Sequence, residues 1–245
     1  MTAVTFFNYF TTKGGNIHMN PLQVEDLKTI LLHAFSSGLS TDISALTNIY
    51  TQKLKPNVFF IESGAKLDYI YVQLSGTSYI VNYTPKGKRI IADTLHGGQI
   101  YGLIETLHHR KSYIGNVITL SPCLIAKIPH NLFLSALKHD LFLSNLALSY
   151  MADFSAKLME SSEQKSAASP MENFLFYLYH RSIQEPLPCH ITENKTFIAD
   201  YLRIDKRSLY RYLNQFEKEG YLRREKQAIL ISEENLGLIK KRLGF

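Results

Sequence analysis

The spacing of apolar residues changes period near residue 130, and that change limits what this chain can fold into. From Pro56 to Pro129 short β-type runs recur: Val58–Ile61, Tyr69–Leu74, Thr77–Tyr83, Arg89–Thr94, Asn116–Leu120 and Leu124–Ile128. Glycines break them at Gly64, Gly76, Gly87, Gly97-Gly98 and Gly102, and Thr84-Pro85-Lys86-Gly87 is a turn sequence. Strands this short and evenly spaced close into an antiparallel β-roll or jelly roll, because a parallel sheet would need helices between them. From Asn131 the pattern is helical. The expected class is therefore α+β.

Ahead of the strands, Leu22, Val24, Leu27, Ile30, Leu31 and Ala34 fit one face of a helix. A second short helix is expected over Ile43–Tyr50, with Ser40-Thr41-Asp42 supplying caps. Residues 1–20 read as an N-terminal arm. They hold Phe6, Phe7 and Phe10 but no basic segment or long apolar run, which is a poor signal peptide, and Met19 offers a second start. No stretch approaches the roughly 18–20 apolar residues that cross a bilayer, so no membrane partner is expected. The cysteines, Cys123 and Cys189, are far apart and form no C-x-x-C pair. Two free thiols in a cytoplasmic chain are expected, not a zinc ribbon or an iron–sulfur centre.

After Asn131, Leu143, Ala147, Tyr150, Phe154 and Leu158 recur at spacings of four, three, four and four, widened by Phe142, Leu146 and Met151. A helix apolar on more than one face needs a partner beyond its own roll. Leu143, Leu146, Ala147, Tyr150, Phe154 and Leu158 are the expected dimer interface. The polar segment Glu160–Pro170 is expected to be a hinge or helix break. Boundaries follow: a roll with flanking helices over 21–138, a dimerisation helix and hinge over 139–168, and a third region over 169–245.

The third region carries the most specific pattern. The chain has a net charge of +6, and residues 203–226 hold eight basic against four acidic side chains, which points to an anionic partner. Asn194 can cap a helix over Lys195–Leu202 that turns Phe197, Ile198, Tyr201 and Leu202 inward. After Arg203-Ile204-Asp205, Asp205 can cap a second helix over Lys206–Glu219, with Leu209, Tyr212, Leu213 and Phe216 inward. Lys206, Arg207, Ser208, Tyr210, Arg211 and Asn214 are then left outward. Gly220 ends that helix, and Tyr221–Arg224 and Ala228–Ile231 flank a basic tip, as in a wing. Helix, turn, basic helix, glycine and hairpin make a winged helix-turn-helix for double-stranded DNA. Arginine pairs with guanine and asparagine with adenine. Asn194, Lys195, Thr196, Ser208 and Lys226 are placed for phosphates.

The whole arrangement resembles the Crp–Fnr superfamily of bacterial regulators over residues 45–235. The likeness rests on Tyr69-Ile-Tyr-Val-Gln-Leu-Ser-Gly76, Pro85-Lys-Gly-Lys88 and Leu95-His-Gly-Gly-Gln-Ile-Tyr-Gly102. It continues in Phe197-Ile-Ala-Asp-Tyr-Leu202, Lys206-Arg-Ser-Leu-Tyr-Arg211 and Leu213 to Leu222. The resemblance implies a cytoplasmic homodimer on a palindromic operator, regulating transcription with RNA polymerase as a partner. Members that bind cyclic AMP carry Gly-Glu and then Arg-Ser-Ala; this chain has Gly102-Leu103 and Lys111-Ser112-Tyr113. Leucine cannot replace a carboxylate, Glu105 is two residues away, and lysine offers no guanidinium fork, so tight cyclic-nucleotide binding is not expected. The cysteine cluster of the iron–sulfur members is missing as well. Arg203 stands where glycine is common in the turn, and Arg207 where many members have glutamate, so the operator sequence does not carry over.

Gly97, Gly98, Gly102, Lys111, Ser112 and Tyr113 remain as an effector pocket in which Lys111 and Ser112, beside Arg110, face the glycine amides and bind some other small molecule. His96, His108 and His109 are expected to be exposed loop residues, because no His-x-His is present. No catalytic residue, metal ligand or cofactor is expected. The alternative is a β-roll ligand-binding protein, or a metal-dependent cupin-like enzyme with an accessory helical domain.

Overall fold

The computed structural model describes residues 21–35 and 49–245, apart from 88 and 227. The N-terminal arm, the Ser40–Asp42 caps, most of the helix expected over 43–50 and the end of the 85–88 hairpin lie outside the described residues. The chain divides into two compact units, residues 1–82 with 92–152 and residues 83–91 with 153–245.

α1 (Pro21–Phe35) precedes eight strands, which lie in the first unit except for residues 83–91: β1 (Tyr50–Leu54), β2 (Phe59–Ile61), β3 (Tyr69–Ser75), β4 (Thr77–Tyr83), β5 (Arg89–His96), β6 (Gln99–Tyr101), β7 (Asn116–Thr119) and β8 (Cys123–Pro129). They form two four-stranded sheets, β1-β8-β3-β6 and β2-β7-β4-β5. This is the expected β-roll. Gly76 makes the reversal between β3 and β4 possible: its φ is 87°, and a Cβ there would lie 2.2 Å from the Pro122 carbonyl oxygen.

One face of β3 buries Ile70, Val72 and Leu74 in a core with Leu27, Ile30 and Leu31 of α1, joined by Leu132, Phe133 and Leu143. Gln73, by contrast, is a polar side chain with no exposed surface. Its Nε2 donates to the carbonyls of Gly76 and Leu95, its Oε1 accepts from the Tyr101 hydroxyl, and that hydroxyl meets Ser78 Oγ at 2.6 Å. Each polar atom of the amide is thereby matched, which is the condition for burying it without a large desolvation cost.

Five features depart from expectation here. Residues 50–54 are a strand: β1 pairs with β8 from Tyr50↔Lys127 to Leu54↔Cys123. Leu103–Leu107 forms a short helix, α2, and Gln99–Tyr101 a strand. The helical stretch after Asn131 is two helices, α3 (His130–His139) and α4 (Leu141–Ala167). Asp140 separates them with extended backbone (φ −122°, ψ 108°), and its Oδ1 accepts the Leu143 N–H at 3.0 Å. The polar segment expected as a hinge is helical through Ala167, because Glu, Gln, Lys and Ala all favour helix. The break comes at 168–169. There Ser169 caps α5 (Pro170–Ser182) in a capping box with Glu172, and Pro170 occupies the first helical position.

The second unit continues with β9 (Cys189–Ile191), α6 (Lys195–Leu202), α7 (Lys206–Lys218), β10 (Arg223–Arg224), β11 (Ile229–Ile231) and α8 (Glu233–Leu243). The strands form one sheet in the order β10-β11-β9. Phe174, Leu178, Phe197, Ile198, Leu209, Leu213, Phe216, Ile229, Ile231 and Ile239 are buried in its core, with Phe174 stacked on Phe216 at 5.3 Å. At 83–91, Arg89 Nε donates to Asp200 Oδ2 at 2.8 Å.

Candidate nucleic-acid interface

The interface is built on the turn between α6 and α7. Asn194 Oδ1 accepts the Phe197 N–H at 2.8 Å and starts α6. Arg203 ends it in the left-handed region (φ 57°, ψ 29°), the conformation that glycine adopts at low cost. The Ile204 N–H returns to the Ala199 carbonyl at 3.0 Å, which closes the turn and holds Arg203 in place. Asp205 then caps α7: Oδ1 accepts the Ser208 N–H at 2.9 Å and Oδ2 the Ser208 hydroxyl at 2.7 Å. The Ser208 N–H, followed by the Ser208 hydroxyl, holds the Asp205 carboxyl below the usual carboxylate range.

α7 buries Leu209, Tyr212, Leu213 and Phe216, and this fixes which side faces water. Lys206, Arg207, Tyr210, Arg211 and Asn214 are exposed, as are Asn194, Thr196 and Lys226; Ser208 and Lys195 are half-buried. Burial pulls the Lys195 ammonium down, Glu193 opposes this, and the Arg224 charge adds to it. Two candidates are already engaged. The Ser208 hydroxyl gives its hydrogen to Asp205, so the lone pairs it has left cannot donate to a phosphate. The Asn194 oxygen serves as a helix cap.

The wing contributes a residue that the sequence reading left out of the site. Arg224 Nε donates to Glu217 Oε2 at 2.6 Å, its backbone N–H to Glu217 Oε1 at 2.8 Å, and Nη1 to Asn214 Oδ1 at 2.7 Å. Arg224 therefore ties the wing to α7. The only sequence signal was an acid and a base on either side of Gly220. Arg181 and Glu193 were also missed. Arg181 Nε lies 2.7 Å from Glu193 Oε1 and the two side chains are 13% and 4% exposed, an ion pair just before the Asn194 cap.

The residues of the expected effector pocket are brought together only in part. Gly97 and Gly98 donate to the carbonyls of Gly76 and Gln73 at the far end of β3. Lys111 and Tyr113 pair instead with residues 64–67, and the Tyr113 hydroxyl donates to the Tyr69 carbonyl at the near end. Gly102 lies at the near end too, with Tyr69 and Ile70 against it. The sheet register, invisible in the sequence, separates the two glycines from the lysine. Glu105 is buried and accepts the Ile114 N–H at 3.1 Å, so its carboxylate is committed to its own loop. His108 and His109 are exposed, whereas His96 is a strand residue with Nδ1 3.1 Å from Thr77 Oγ1. Among the described residues no three His, Cys, Asp or Glu side chains gather as a metal site would require, and no helix is long and apolar enough to cross a membrane.

The expected dimer interface also needs correction. Leu143 and Ala147 are 0% and 4% exposed in the core of their own roll, and Leu146 and Tyr150 pack against it. The Tyr150 hydroxyl accepts the Ile100 N–H at 3.2 Å and donates to Gln99 Oε1 at 3.3 Å. Phe154 is half-buried, and only Leu158 of the six is largely exposed.

Comparison with known proteins agrees with this architecture. Residues 51–140 match the family of the cyclic nucleotide-binding domain. No curated protein gives a significant match. A CRP-family transcriptional regulator from Thermus thermophilus is 13% identical, with 79% of this chain covering 97% of that one at a TM-score of 0.68. The c-di-GMP responsive global regulator CLP of Xanthomonas campestris is 12% identical, with 85% covering 98% at 0.64. A second CRP/FNR-family regulator from Thermus thermophilus is 14% identical, with 80% covering 99% at 0.66. Residues 51–140 thus form a cyclic nucleotide-binding-type domain, set in a chain with the fold of the Crp–Fnr superfamily.

Proposed function

We propose that this protein is a sequence-specific DNA-binding transcriptional regulator that acts as a cytoplasmic homodimer on a palindromic operator. The observation that carries the reading is the solvent face of α7. Lys206, Arg207, Tyr210, Arg211 and Asn214 are exposed together on the helix that follows a left-handed turn, where a helix-turn-helix presents its base-reading side chains. The guanidinium forks of Arg207 and Arg211 suit guanine, and Lys195, Thr196, Lys206 and Lys226 suit the backbone. RNA polymerase is the partner such a regulator acts on.

The dimer reading rests on the other side of α4. Leu141, Asn145, Leu148, Ala152, Ser155 and Met159 are all exposed and recur at four, three, four, three and four, the spacing of a two-helix seam. Leu141, Leu148 and Met159 are 77%, 63% and 65% exposed, unusual for large apolar side chains. Ala152 and Ser155 between them would let a second α4 approach closely.

The test is to incubate the protein with fragmented DNA of its own organism and sequence what it retains. A shared palindrome is expected, and Arg207→Ala with Arg211→Ala should abolish its selection, each change costing about 1–3 kcal/mol of discrimination. Unaltered selection by the double variant would refute the assignment. Titration with cyclic AMP is expected to leave binding unchanged, since Leu103 stands where a carboxylate would be needed and Glu105 is bound to Ile114.

A further inference from the structure

At the β2–β3 end of the roll an open pocket of about 380 Å³ is walled by Phe60, Tyr69, Tyr71 and Tyr113, with Glu62 and Lys127 among its lining residues. It shares only Tyr113 with the effector pocket expected from the sequence. Ring centroids lie 5.8 Å apart for Phe60–Tyr71, edge to face, 6.3 Å for Tyr69–Tyr71 and 6.2 Å for Tyr71–Tyr113. Rings at these separations present both faces and edges to a further ring. Tyr71 and Lys127 are opposite each other in the β3–β8 register, so their side chains lie side by side on one face.

These two side chains are also the ones with unmet chemistry. The Lys127 ammonium sits 3.9 Å from the Tyr69 centroid and 5.9 Å from that of Tyr71, and among the described residues it has no carboxylate partner. Among the same residues the Tyr71 hydroxyl has no hydrogen-bond partner. Burial, then the neighbouring Tyr69 and Asp68, raises Tyr71 above the ordinary phenol range, so it stays a donor at neutral pH. Lys66 is occupied by Asp68 at 2.6 Å. Of the two acids in the lining, Asp68 is exposed and paired with Lys66, and Glu62 is exposed at the rim, where water screens it; the half-buried Lys127 is the lysine left without a carboxylate and is the point at which an anion can be held.

We propose that this pocket binds a small aromatic carboxylate, its ring among Phe60, Tyr71 and Tyr113 and its carboxylate on the Lys127 ammonium and the Tyr71 hydroxyl. That such a ligand would be the effector rests on the regulator reading above; the binding itself does not.

The test is calorimetric titration and thermal unfolding of the full chain without DNA, using benzoate as the probe and benzylamine as the same ring with the opposite charge. Benzoate is expected to bind and to raise Tm, since a ligand that binds only the folded state stabilises it. Benzylamine should do neither. Lys127→Met should weaken benzoate by about tenfold or more, Lys127→Arg should largely retain it, and Tyr71→Phe should weaken it several-fold with the unliganded Tm unchanged. Absence of benzoate binding at millimolar concentration, equal binding of benzylamine, or a Lys127→Met variant that binds as well as the parent would each overturn the proposal. DNA retention is measured separately, so a failure there leaves this result standing.

Discussion

Arg224 donates to the side-chain oxygen of Asn214 at 2.7 Å, so the wing already holds the amide that an adenine would need. Reading adenine takes both ends of the amide, the oxygen as acceptor and the nitrogen as donor. Arg224 takes one of the two lone pairs of that oxygen, so Asn214 meets a base with its acceptor already shared and its orientation set by the wing, and Glu217 helps hold Arg224 there. The Arg224 side chain, followed by its backbone N–H, holds the Glu217 carboxyl below its ordinary range, so at neutral pH it is a fixed counter-charge.

Glu217→Gln should release Arg224 towards the DNA backbone. Anisotropy titrations across a salt series should show tighter binding and a log–log salt slope steeper by about one, as expected for one added phosphate contact. An unchanged slope would mean that Asn214 alone retains the guanidinium.

Leu148 and Tyr150 separate the two faces of α4. Leu148→Asp should produce monomers in sedimentation velocity. Tyr150→Phe should leave the dimer intact and lower Tm, because its hydroxyl serves Ile100 and Gln99 of the same chain. The reverse result would return the seam to the Leu143–Leu158 stripe.

The buried pair of Arg181 and Glu193 has a distinct energetic signature. Glu193→Ala removes the buried partner of a guanidinium that is 13% exposed and leaves it only Glu185, at 3.1 Å, and Gln184, so it should destabilise the C-terminal unit in urea unfolding, by less than the roughly 3–5 kcal/mol of a wholly unpaired buried charge. Arg181→Met combined with Glu193→Leu should cost much less, because no charge is then left uncompensated. Equal losses in both variants would show that the packing of the side chains, and not their charge, matters there.

Asp140 gives a pH dependence of known sign. The Leu143 N–H, and then Lys28 at 3.0 Å, hold its carboxyl below the usual range in the folded chain. A depressed folded value means that the contribution is fully present above the unfolded value of about 3.9 and is lost as pH falls through the folded one. Asp140→Asn should therefore lower Tm at pH 7, and the gap from the parent should close below about pH 4. A gap that persists in acid would point to the helix break itself.

The helix-turn-helix was legible because its signals are local. Asn194 and Asp205 sit at cap positions, and the inward spacing of Leu209, Tyr212, Leu213 and Phe216 fixes the outward face without reference to any other segment. The long-range features were not. β1, Tyr-Thr-Gln-Lys-Leu, lies at the edge of its sheet, and its burial pattern is mostly exposed, so it carries no alternation to recognise. The stripe from Leu143 to Leu158 was visible, but a helical stripe reads alike whether its own sheet or a second copy covers it. Asp140 looked like one polar residue within a helix until its carboxylate turned back to cap the next one. The separation of Gly98 from Lys111 depends on sheet register, which no segment of either loop encodes.

The pairing of β1 with β8 also sets a timetable for the ribosome. Tyr50 finds its partner in Lys127, so the first strand waits unpaired while the rest of the roll is translated. Only after Pro129 has left the exit tunnel can the sheet gain its last edge. The C-terminal unit, whose helices are chain neighbours, can form as it emerges. Synthesis thus exposes an open β edge well before the strand that covers it is made. A nascent chain stalled within the roll is the species that chaperones would be expected to hold.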